Sequence, residues 1–168
     1  MIRVDIETIV MAAGSVPSII VLRERKSSTG SESPMRALSI QTGSYEAASI
    51  SRGVNDNDGK PSRPISHDVF VTTVAELGAK VARIEIDRVE APVFYADIIV
   101  TDAMGKEHRI DARPSDAIAI AVRTNAPIYV EDDVMNREGS VSYRAEEDDE
   151  AEFERFDEFV QHLSPDDF

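Results

Sequence analysis

Asp111-Ala-Arg-Pro-Ser-Asp116-Ala-Ile-Ala-Ile-Ala-Val-Arg123 is the stretch from which the fold can be read. It describes the end of a strand, one tight turn and a helix that is apolar on nearly every face. Pro114 disfavours the α region for Arg113, which sets the turn immediately ahead of the helix. Ser115 is the expected N-cap, its hydroxyl accepting from an orphan amide. Asp116 places a negative charge in the first turn, where the helix dipole favours it. Residues 117–122 carry no polar side chain, so this helix is expected to be buried. Arg123 in the last turn, Asn125 as a left-handed residue and Pro127 beyond it supply the stop. Asp111, Arg113, Ser115 and Asp116 therefore crowd one end of a buried helix, where polar groups must pair with one another or face a cleft.

Outward from that stretch, short elements alternate with turn signals. Residues 2–11 read as a strand, with a second from Ser18 to Leu22 across the Gly14–Pro17 turn. Ala37 to Gln41 is a third strand, followed by a turn at Thr42-Gly43 and a helix from Ser44 to about Ser51. Residues 24–34 and 52–64 read as polar loops. Ser66 is the expected cap of a helix over residues 67–77, with Val69, Phe70, Thr73, Val74 and Leu77 on one face. Strands follow at 80–88, 93–101 and 107–111, and a short one at 128–130. An offset of 70 residues aligns Ile40 with Ile110, Ala47 with Ala117, Ile50 with Ile120 and Glu46 with Asp116. Both halves then run hairpin, third strand, helix. The expected fold is α+β: a duplicated three-strand-plus-helix unit with a largely antiparallel sheet and packed helices.

The totals narrow the function classes. At 168 residues the chain suits one domain with a real core. No run of apolar residues is long enough to span a bilayer, and the opening residues do not form a signal peptide. Zero cysteines exclude a disulfide framework, a thiolate nucleophile and a thiolate metal site. A cytoplasmic location and no membrane partner are the matching expectations. Of the net charge of −14, residues 131–168 contribute −12 (15 acids against 3 bases), leaving −2 for the rest. Nucleic-acid affinity usually leans on a basic footprint, and none is written into this chain as a run.

We place the domain at residues 1–135 and an acidic tail at 136–168. Residues 131–150 are too polar to fold alone. Phe153, Phe156, Phe159, Val160 and Leu163 then line one face of an expected amphipathic helix, which must dock on its own domain, a dimer mate or a protein partner.

The run DARPSDAIAIAVRTNAPIYV resembles the signature of the bifunctional nuclease family. The opening MIRVDIETI, the segment LSIQTGSYEAASI, and RPISHDVF with its following LGAKVARIEI extend the likeness over roughly residues 1–135. The resemblance implies an α+β fold, a tendency to form homo-oligomers (dimers or larger), and hydrolysis of phosphodiester bonds in DNA and RNA.

Phosphodiester hydrolysis needs an activated water and relief for the charge that develops on phosphorus-bound oxygens. Asp111, Asp116 and, through the internal echo, Glu46 are the candidate metal ligands, for which Mg2+ or Mn2+ would suit. Asp111, Asp116, Arg113 and His67 are the candidate catalytic residues. Arg113 with Ser115 would bind substrate, the guanidinium gripping phosphate with two N–H groups, and His67 would transfer a proton. Each has a bland reading too. Asp116 and Glu46 suit any first helical turn, Asp111 and Arg113 could be a structural ion pair, and His67-Asp68 opens a helix. The alternative to a nuclease is a non-catalytic dimeric interaction module whose acidic tail engages a protein partner.

Overall fold

A computed structural model describes residues 1–25, 35–55 and 63–141. The two polar loops fall largely outside these residues, and the amphipathic helix expected at 153–163 lies wholly outside them. In chain order the elements are β1 (Ile2–Val10), β2 (Ser18–Glu24), β3 (Ala37–Thr42), α1 (Ser44–Val54) and α2 (Ser66–Glu76). There follow β4 (Lys80–Glu90), β5 (Val93–Thr101), β6 (Glu107–Ala112), α3 (Pro114–Thr124), β7 (Ile128–Val130) and α4 (Asp132–Glu138). Among the described residues no helix is long and apolar enough to cross a membrane.

The seven strands form one sheet in the order β3-β2-β1-β7-β4-β5-β6. Each half is an antiparallel meander, and β7 joins the two, antiparallel to β1 and parallel to β4. The duplication is visible in the boundaries: β3 and β6, and likewise α1 and α3, are offset by 70 residues at both ends. The fold is α+β.

Strand alternation puts Val4, Ile20, Leu22, Leu38, Ile84, Ile86, Ile98 and Val130 on one face. Ala117 to Ala121 of α3, with Ile50 of α1, close over that face into a single core. Burying a side chain of this size contributes about 1.5–3 kcal/mol, so α3 is where the two halves are cemented. On β6, Ala112 packs against that core, whereas Asp111, the cross-strand neighbour of Asp97, alternates onto the opposite face.

Three local expectations are corrected. Helix α3 begins at Pro114 with Arg113 as its cap (φ −66, ψ 144), so Ser115 is the second helical residue and not the N-cap. Proline fits the first helical position because its φ is preset and its missing N–H would have had no partner there. Helix α2 likewise begins at Ser66 with Ile65 as its cap. Its inward face is His67, Phe70, Val71 and Val74, while Val69 and Leu77 are exposed. Finally, α4 forms inside a stretch that reads as too polar to fold alone. It folds because Val134 and Met135 are fully buried against the sheet, and Ser140 beyond it exchanges two backbone hydrogen bonds with Ala37 on the edge of β3.

A polar chain across three helices and the pocket beside it

The duplicated helices α1 and α3 pack together with α2 alongside, and polar side chains from all three meet at their junction. Arg113, the cap of α3, lies side-on to Asp116, with Nε 2.7 Å from Oδ2 and Nη2 3.0 Å from Oδ1. Its Nη1 reaches Glu46 Oε1 on α1 at 3.0 Å. The residue aligned with Arg113 in the first half is Gly43, the cap of α1. A Cβ there would run into the Glu46 carboxylate, so the missing side chain leaves room for Glu46 to turn toward Arg113.

Behind Arg113 the chain continues inward. Asp116 Oδ1 lies 3.0 Å from His67 Nε2, and His67 Nδ1 lies 2.8 Å from Ser49 Oγ. Ser49 Oγ accepts from Arg123 Nη2 at 3.2 Å. Arg123 also donates Nε to Asp68 Oδ1 at 2.6 Å and Nη1 to the Ala119 carbonyl at 2.7 Å. Asp68 Oδ2 in turn accepts the Ile65 amide at 2.8 Å, closing the start of α2. Ser49 is 3 % exposed and His67 7 %. Polar groups so deep are tolerated because each finds partners.

Burial works against ionisation of Asp116. The hydrogen bonds from Arg113 and His67 outweigh it and hold the carboxyl below the usual aspartate range. Asp68 is held low in the same way, burial being overcome by Arg123, the Ile65 amide and Arg52. Hydrogen bonding to Asp116, then its charge, raises Arg113, which stays a cation throughout.

Arg113 also stands at the lip of a cavity of about 450 Å³ lined by Ser39 to Gly43, Pro92 to Phe94, Arg113 to Ser115 and Glu138. One wall is the outer edge of β3, the last strand of the sheet among the described residues. Ala37 turns its N–H and C=O outward to Ser140, while Arg36 turns its C=O toward β2. Alternation then points the backbone groups of Ser39 and Gln41 outward as well. The opposite wall is the turn between β4 and β5, and the floor is the first turn of α3, whose amides and dipole favour an anion.

The structure thus brings Glu46, His67, Arg113 and Asp116 into one connected group and sets Ser115 in the pocket wall. Asp111 is not part of it: it is exposed on the far side of β6 and makes no ion pair or side-chain hydrogen bond with any described residue. Nor do Asp111, Asp116 and Glu46 form a metal-binding group. Among the described residues no three His, Asp or Glu side chains are gathered to hold a metal ion. A divalent cation shared by Glu46 and Asp116 would have to displace the guanidinium that already bridges them. Ser49 and Arg123 are absent from the sequence-level candidates. A serine on the buried side of an apolar helix (Ala47, Ser49, Ile50) was the available signal for the first, and Arg123 reads simply as a helix stop.

The family model for the bifunctional nuclease domain matches residues 21–142. A protein from Mycobacterium tuberculosis strain CDC 1551 / Oshkosh is 37 % identical over 140 residues, covering 79 % of this chain and 81 % of its own. Its counterpart in strain ATCC 25618 / H37Rv matches over the same span at the same identity. Both are named only as uncharacterized proteins.

Proposed function

The chain belongs to the bifunctional nuclease domain family, and on that premise we propose that it hydrolyses phosphodiester bonds of DNA and RNA in the pocket ahead of α3. The observation that carries the reading is Arg113, a cation with 65 % of its side chain exposed, fixed at the pocket's lip by a buried polar chain. Three of its N–H groups go to Asp116 and Glu46, and a guanidinium has five. The remaining two meet a phosphate, with the first-turn amides of α3 beside Ser115 adding to the field on its oxygens. Asp116 stays ionised and, from behind the lining residues Arg113 to Ser115, holds the Arg113 guanidinium in place with both carboxylate oxygens. His67 orients that carboxylate through Nε2 and does not itself face the pocket.

The test is cleavage of labelled single- and double-stranded DNA and RNA by purified protein, with Mg2+, with Mn2+ and with chelator. Removing one preorganised charge-stabilising donor typically costs about 10²–10³ in kcat, and Arg113→Ala is expected to lose activity on that scale. Cleavage by Arg113→Ala at the wild-type rate would place the activity elsewhere.

A second reading is favoured by one observation. Both ring nitrogens of His67 are engaged, and Glu46 and Asp116 are already paired. A group so fully satisfied suits a non-catalytic interaction module. No cleavage under any of these conditions, together with capture of a protein partner that is lost when residues 136–168 are removed, selects that reading.

A further inference from the structure

We infer that Ser49 and Arg123 are positioning residues that clamp the His67 ring with Nε2–H toward Asp116, and so steady the carboxylate that holds Arg113 at the pocket. Arg123 can only donate, so at 3.2 Å Ser49 Oγ is its acceptor. The Asp116 carboxylate can only accept, so in the neutral ring His67 Nε2 is the donor and Nδ1, 2.8 Å from Ser49 Oγ, accepts the serine's hydroxyl hydrogen. In the neutral ring the proton therefore sits on Nε2 and is donated to Asp116 Oδ1, 3.0 Å away. Asp116 alone could draw an N–H toward itself, but it cannot stop the ring from rotating. The hydroxyl on the opposite nitrogen supplies the second point of attachment.

Arg123 is itself fixed on three sides. Asp68 of α2 takes Nε, the Ala119 carbonyl of α3 takes Nη1, and Ser49 of α1 takes Nη2. Its side chain is only 8 % exposed. The order of command runs from a buried arginine through a hydroxyl and an imidazole to a carboxylate and the exposed arginine. The second guanidinium is held by the far end of the same chain as the first. Orientation of the ring stands on this geometry alone. Its consequence for a phosphodiester substrate rests on the function proposed above.

The experiment keeps the two apart. Protein labelled with 15N in its histidine rings is examined by two-bond 1H–15N correlation, with His108 and His162 assigned by their Gln variants and His67 by elimination. Wild type and Ser49→Thr, which keeps the hydroxyl, are expected to show the Nε2–H form with a downfield, slowly exchanging ring proton. Ser49→Ala is expected to lose the slow exchange while its backbone spectrum stays folded. Because Arg123→Met also removes the shorter of the two ion pairs of Asp68, Ser49→Ala carries the decision. An Nδ1–H ring in wild type, or a ring proton unchanged in Ser49→Ala, overturns the clamp. In the cleavage assay Ser49→Ala should lower kcat by about 10-fold with KM within about twofold, a part of what a preorganised charge-stabilising donor supplies, and Ser49→Thr should restore it. If wild type cleaves nothing, the proposed function falls, and the ring spectrum still decides the clamp.

Discussion

Arg113 and Asp116 meet edge to edge, two N–H groups on two carboxylate oxygens at 2.7 and 3.0 Å, across the first turn of α3. An acid in a first turn and a basic cap three residues earlier would be an ordinary surface pair, worth about 0–1 kcal/mol in that setting. Here the carboxylate is 28 % exposed and the guanidinium 65 %. The pair therefore has a buried end and a wet end, and the wet end opens on the pocket.

The first prediction concerns acid. Asp116 and Asp68 are both held below the usual aspartate range. Their stabilising effect is fully present above that range, about pH 3.9, and is lost as pH falls through their folded values. Urea unfolding of wild type and Asp116→Asn from pH 7 to pH 2.5 should show a gap in stability that closes below about pH 4. A gap of constant size across that range would contradict the assignment.

Arg123→Met should destabilise the fold by about 2–3 kcal/mol. Breaking a fully buried pair costs about 3–5 kcal/mol, and the partner Asp68 is partly solvated. Chemical denaturation measures it. A loss under about 0.5 kcal/mol would show that the arginine is not integral to the junction.

The two glycines of α1 and its cap separate packing from placement. Gly53→Ala should destabilise by about 1–3 kcal/mol although alanine is the better helix former. The new Cβ would sit 2.6 Å from Val122 Cγ2 and 2.9 Å from Arg123 Nη1. At Gly43 the obstacle is the movable end of Glu46. Gly43→Ala should therefore leave stability within about 0.5 kcal/mol while displacing Glu46 from Arg113. Thermal unfolding of both variants, with a crystal structure of Gly43→Ala, checks the contrast.

Ile118→Ala should cost about 2–5 kcal/mol, because Ile118 is fully buried in the core that joins the two halves. Cooperative loss of both meanders in hydrogen exchange is the expected signature. Loss confined to one meander would mean that the halves fold independently.

Much of this architecture was legible because it is local. The 70-residue echo of Ile40, Ala47 and Ile50 follows the real offset of β3, β6, α1 and α3. Asn125 takes the left-handed conformation (φ 53) that ends α3, as its place before Ala126-Pro127 suggests. What escaped is what depends on approach in space. Two residues of a very polar stretch, Val134 and Met135, suffice to dock α4 once the sheet is there to receive them. Ser49 and Arg123 lie 74 residues apart and meet only because α1 crosses α3. The inward face of α2 turns on His67, whose polar ring occupies a position that an apolar count assigns to solvent. Asp111 and Asp116 look convergent in sequence, yet strand alternation sends Asp111 to the other face.

The most direct measurement is an amide chemical-shift titration of the full chain with a short single-stranded oligonucleotide under conditions that block cleavage. The account predicts shifts concentrated at Ser39, Gln41, Gly43, Phe94 and Ser115 and abolished in Arg113→Ala. Shifts confined to the outer sheet face around Arg83 and Arg109, or a titration unaltered by Arg113→Ala, would contradict it.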